Sequence, residues 1–154
     1  MPTAPQVARV YDALRPAILQ RLIDMRASLD PSLARGDEES AREQLGAVLA
    51  HFSNYIATGD IGLHRAFLHT FLAIRAAEAQ LPGAVLAMLV AIGDTAVTVA
   101  QEAGSPEAAE LTAALTRVTA STARSVNDLI AEELERRAAQ VRELEAKLRG
   151  LGPP

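Results

Sequence analysis

Three histidines are the only imidazoles in this 154-residue chain, and all lie close to phenylalanine. His51 precedes Phe52, while His64 and His69 flank Phe67 and Leu68, with Phe71 one helical turn further on. Imidazole beside aromatic side chains suits an axial haem ligand, or a polar contact in a small-ligand pocket lined by Phe52, Phe67 and Phe71. The plainer reading of each is a histidine on a helix surface, or one half-buried in a hydrogen bond. On a helix the spacing of His64 and His69 turns them about 140° apart, so they cannot hold one metal ion from one face. No metal site is therefore predicted.

Other chemistries are excluded by missing residue types or spacings. There is no cysteine, which removes disulfides, zinc thiolates and thiol nucleophiles. No His-Glu-x-x-His, Gly-rich phosphate loop, Gly-x-Ser-x-Gly elbow or paired Glu-x-x-His pattern occurs. His64 beside Arg65 meets the needs of a phosphotransfer histidine only loosely, and Gly62 near the helix start does not help it. Asp94 is the one acid in an otherwise apolar stretch: buried, it would suit pH sensing or cation binding, and on the small-residue face it would simply meet water. No catalytic residue is predicted, and the chain reads as a non-enzyme.

The elements that position these residues are helical. The chain is 49% hydrophobic but only 3% aromatic, so Leu, Val, Ile and Ala must fill its core. Its length suits one domain with a single core. A net charge of −4 argues against a nucleic-acid surface. Thr3 and Gln6 have capping-box spacing before Val7, Val10, Tyr11, Leu14, Ile18 and Leu22, and Pro16 should bend or split that helix. Residues 30–36 read as a loop or single turn. Asp37, Glu38 and Glu39 open the next helix, buried through Leu45, Val48, Leu49, Phe52 and Ile56. After Gly59, Asp60 caps a third whose predicted buried stripe is Leu63, Phe67, Leu68, Phe71 and Leu72, and which is expected to sit centrally. The stretch from Leu81 to Ala100 carries one charge, Asp94, and reads as a buried core helix rather than a membrane span. The N-terminus has neither a basic nor an apolar signal region, so a cytoplasmic protein is expected.

Ser105 and Pro106 should then start one long helix unbroken as far as Gly150. Its first half carries core residues from Leu111 to Ile130, beside small side chains at Thr112, Ala113, Thr116, Thr119, Thr122 and Ser125 that would permit sliding. Its last turns are charged. There Leu134, Val141 and Leu148 fall seven apart, with Leu144 and Leu151 in the complementary position and Arg137 interrupting them. A parallel homodimer through Leu134, Val141, Leu144 and Leu148 is predicted. The competing picture is a solitary rod held by Glu132 with Arg136, Glu133 with Arg137, Glu143 with Lys147 and Glu145 with Arg149. The domain reading is 1–131 for a helical sensor and dimerisation domain, 132–149 for the arm and 150–154 for a boundary tail.

Five or six helices ending in such an arm, with the loop at Thr58, Gly59 and Asp60 and the charged helix from Glu132 to Arg149, resemble the N-terminal sensor domains of RsbR-type stressosome proteins. The resemblance implies a globin-like fold without haem, dimerisation, and relay of a stress or ligand signal to a STAS-domain assembly. A haem or small-ligand sensor using a histidine is the alternative, and a self-contained helical adaptor the next.

Overall fold

The computed structural model describes residues 1–151; of the predicted tail, residues 152–154 lie outside them. The described chain is all-α, with five long helices, two short ones and no strand.

Helix α1 (Ala4–Asp24) begins with the full capping box: the Gln6 N–H donates to Thr3 Oγ1 at 3.3 Å, and the Thr3 N–H to Gln6 Oε1 at 2.6 Å. It buries Val7, Ala8, Tyr11, Ile18, Leu22 and Ile23. Pro16 does not split it. Asp12 and Pro16 both face solvent, so water can take the carbonyl that proline leaves without a donor. The break comes at Met25.

Two short helices follow, α2 (Arg26–Leu29) and α3 (Pro31–Arg35); the stretch 30–36, read as a loop or single turn, is α3 with its caps Asp30 and Gly36. Asp30 caps the second by accepting the Ser32 N–H at 2.7 Å, with Pro31 at the first helical position. Leu29 and Leu33 pin both to the core.

Helix α4 (Glu38–Thr58) is capped by Asp37, which accepts the Ser40 N–H at 2.6 Å. It buries Ala41, Leu45, Val48, Leu49, Phe52 and Ile56 and stops at Gly59, where φ is +64°. Asp60 then caps α5 (Ile61–Ala77) through the Leu63 N–H at 3.0 Å.

Helix α5 departs from its predicted phase. Its buried line is His64, Leu68, Phe71 and Arg75, while Ile61, Leu63 and Ile74 are exposed. Two polar residues hold inward positions because neighbouring helices supply hydrogen-bond partners, and a count of apolar residues misses that. The helix lies on the flank of α4 and α7 rather than at the centre.

Helix α6 (Pro82–Ala103) is the central one, burying Val85, Met88, Leu89, Ile92, Gly93, Thr95, Ala96, Val99 and Ala100. Among the described residues it alone is long and apolar enough to cross a membrane, and half of its most apolar window is buried in the fold. Asp94, Thr98 and Gln101 line its exposed side. At Gly93 the backbone comes so near α7 that an added Cβ would lie 2.1 Å from Thr119 Oγ1.

Helix α7 (Ala108–Gly150) is 43 residues long. It starts later than predicted: Ser105 accepts the Ala108 N–H through its backbone carbonyl at 3.0 Å, and no side chain caps the helix. Buried residues run from Leu111 to Leu129; beyond Ile130 only Glu133 and Ala138 are even partly covered. Some twenty residues therefore stand clear of the domain, a rod of about 30 Å.

Candidate functional site

Two features stand apart from ordinary packing: a polar cluster where α4, α5 and α7 meet, and the exposed arm. In the cluster, α4 presents His51 and Tyr55, which lie four residues apart and so on one face. Helix α5 presents His64, Phe67 and Phe71, and α7 presents Ser121 and Thr122.

His51 Nε2 and His64 Nδ1 share a hydrogen bond of 2.8 Å, and His64 Nε2 lies 3.3 Å from Thr122 Oγ1. Phe67 stacks on the His51 ring at 4.1 Å between centroids, and Tyr55 lies against His64 at 4.4 Å. The Tyr55 hydroxyl pairs with Ser121 Oγ at 3.0 Å. Phe71 continues the stack beyond Phe67 at 5.8 Å, and the Arg75 guanidinium lies over the Phe71 ring at 5.6 Å.

His64 is completely buried, which drives its pKa down to about 4, with the neighbouring His51 adding to the effect. His51, half-buried, is also held below the usual imidazole value by desolvation. Both rings are therefore neutral at neutral pH. Burial likewise pushes the Tyr11 phenol up, and its hydroxyl donates to the Leu49 carbonyl at 2.9 Å.

The predicted site residues thus divide. His51, His64, Phe67 and Phe71 come together. Phe52 points the other way, fully buried in the hydrophobic core, so it lines no pocket with the histidines. His69 is exposed and lies apart, beside Leu72, Ala73, Ala76, Pro82, Leu129 and Leu134 in a groove of about 400 Å³ at the root of the arm. The expected aromatic pocket is filled by its own rings. An axial haem ligand needs a free imidazole nitrogen facing a flat cavity. Both nitrogens of His64 are engaged and its faces are covered, so it does not fit that role.

Tyr55, Ser121, Thr122 and Arg75 are the functional candidates that sequence reading missed. Thr122 and Ser125 stood out only as small residues on the inner half of α7. Ser121 and Thr122 lie three and four residues after Val118, on the buried line of α7, and only packing against α4 and α5 reveals them as partners. Arg75 is buried, with Nη1 bonded to Gln44 Oε1 at 2.9 Å and paired with Glu78 at 3.1 Å.

Along the arm, Leu134, Val141, Leu144 and Leu148 are 60%, 53%, 58% and 68% exposed. Glu133 pairs with Arg136 at 2.6 Å and with Arg137 at 3.0 Å, Glu143 with Lys147 at 2.9 Å, and Glu145 with Arg149 at 3.9 Å. Glu132 does not take its predicted partner Arg136. It pairs instead with Arg65 of α5, which also reaches Asp128 at 3.5 Å. The root of the arm is thereby tied to the helix that carries His64.

Comparison with protein-family models, curated proteins and solved structures finds no match. What the fold defines is an all-α domain whose last helix extends well past its core.

Proposed function

We propose that this chain is a non-enzymatic signalling input module that pairs with a second copy through its arm and relays a change in the helical domain, through α7, to an effector. The observation that carries this reading is the row of four large apolar side chains, each more than half exposed, on the part of α7 that has left the core. Burying such a row in a second helix removes apolar surface from water at about 25 cal/mol per Å². The ion pairs beside it are solvent-exposed and contribute only about 0.2 to 0.5 kcal/mol each. They support the helix without occupying the seam.

A relay needs the domain and the arm to move together. Continuity of α7 from Leu111 in the core to Leu148 in the arm supplies one link, and the Arg65 bridge to Asp128 and Glu132 supplies another. The resemblance to RsbR-type sensor domains agrees with this reading. Carried over from that resemblance, a cytoplasmic protein with a STAS-domain assembly as its effector is part of the proposal.

Sedimentation of the purified chain at micromolar concentration tests the pairing. A dimer is expected, and V141E combined with L144E should yield a monomer with unchanged helix content. A monomeric wild-type chain, or a charged variant that stays dimeric, overturns the proposal.

A further inference from the structure

We propose that the His51–His64 pair is an acid-operated latch: it holds α5 against α4 and α7 at the root of the arm, and the entry of two protons opens it. The regulatory meaning of the latch rests on the relay reading above; its opening is an event within one chain and does not.

The geometry limits how many protons the pair can take. Two facing ring nitrogens 2.8 Å apart have room for one hydrogen between them. With both rings neutral, one nitrogen donates and the other accepts, and Thr122 completes the chain at His64 Nε2. One added proton is accommodated. His51 Nε2–H donates to His64 Nδ1, and His64 Nε2–H donates to Thr122 Oγ1, so every nitrogen facing a partner keeps one. A second proton makes donors of all four ring nitrogens. Two N–H groups then point at each other across the bond, and two cations share a site built of Phe67, Tyr55 and hydroxyls. The rings must separate.

The surrounding charges do not relieve this. From α4 the pair is faced by Tyr55, whose hydroxyl is committed to Ser121. From α7 it is faced by the uncharged Thr122 and Ser121, with Ser125 also on the buried face. The carboxylates Asp128 and Glu132 lie further along α7 and are held by Arg65 at the surface, and Asp60, one turn before His64, accepts the Leu63 N–H as the cap of α5. On α5 itself, Arg65 adds positive charge. Among the described residues no carboxylate hydrogen-bonds to either imidazole. Separation of the rings breaks the one side-chain link that joins α5 to α4 and α7 together, leaving α5 held by Arg65 on α7 and by Arg75 on Gln44 of α4.

Hydrogen exchange of the full chain, corrected for the intrinsic effect of pH, tests the latch. Protection of the α5 amides is expected to fall by about tenfold or more as pH drops from 6.5 to about 4, while α1 and α6 stay protected. The H51F/H64L double variant should keep α5 protected over the same range. The latch is overturned if wild-type α5 is unchanged, if all helices open together, or if the double variant opens like the wild type, which would assign the effect to carboxylates. Should that variant not fold, H51Q retains an amide able to bond His64 Nδ1 but removes one titrating ring. The opening must then move to lower pH, and an unmoved midpoint overturns the latch. Failure of the relay reading looks different: a monomer whose α5 still opens in acid.

Discussion

At the scale of single residues, His64 ties the stability of the domain to pH. Its ring is neutral in the folded chain with a pKa near 4, against 6.5 in a flexible chain. Above 6.5 neither state carries the proton and the ring costs nothing. As pH falls from 6.5 toward 4 the unfolded chain takes up the proton and the folded chain does not, so stability declines with acidification. The full difference is about 3 kcal/mol, from about 1.4 kcal/mol per pKa unit. Urea unfolding of the wild type should follow that decline, and H64Q, lacking the ring, should lose less over the same window. Equal losses in both would remove His64 as the source.

At the scale of elements, the contact of α6 with α7 depends on the absence of one side chain. Gly93 sits where a Cβ would meet the Thr119 side chain, with Oγ1 at 2.1 Å and Cβ at 3.2 Å. The Thr119 hydroxyl already donates to the Leu115 carbonyl at 2.9 Å, so moving it breaks a bond as well as a fit. G93A is expected to destabilise the fold by about 1 to 3 kcal/mol, the usual range for overpacking. Thermal unfolding checks this, and T119A in the same background should recover part of the loss. The helices themselves were largely legible: caps at Thr3, Asp37 and Asp60 and stops at Gly59 and Gly104 mark five boundaries through local chemistry. Helix α5 was misphased because His64 and Arg75 count as polar, yet they hold its buried line through bonds to other helices.

For the whole molecule, a compact domain with a projecting arm makes measured stability depend on concentration, provided the arms pair. Any partner that binds the folded chain alone raises the melting temperature by mass action. The wild-type melting temperature should therefore rise with protein concentration, whereas that of the V141E/L144E chain should stay constant. A constant wild-type value across the micromolar range would leave the seam without a partner in solution. The bridge from Arg65 to Asp128 and Glu132 belongs to this scale too, since it joins the flank of the domain to the base of the arm.

The helical class, the long last helix and its apolar seam follow from sequence alone, because periodicity, caps and breakers act over a few neighbouring residues. The histidines were visible there, but not their arrangement. Whether His64 or Leu63 turns inward, and whether Phe52 joins His51 or faces away, depends on which helices meet on each side of α4 and α5. Those contacts join residues far apart in the chain, such as His64 and Thr122, and only the packing of the helices decides them.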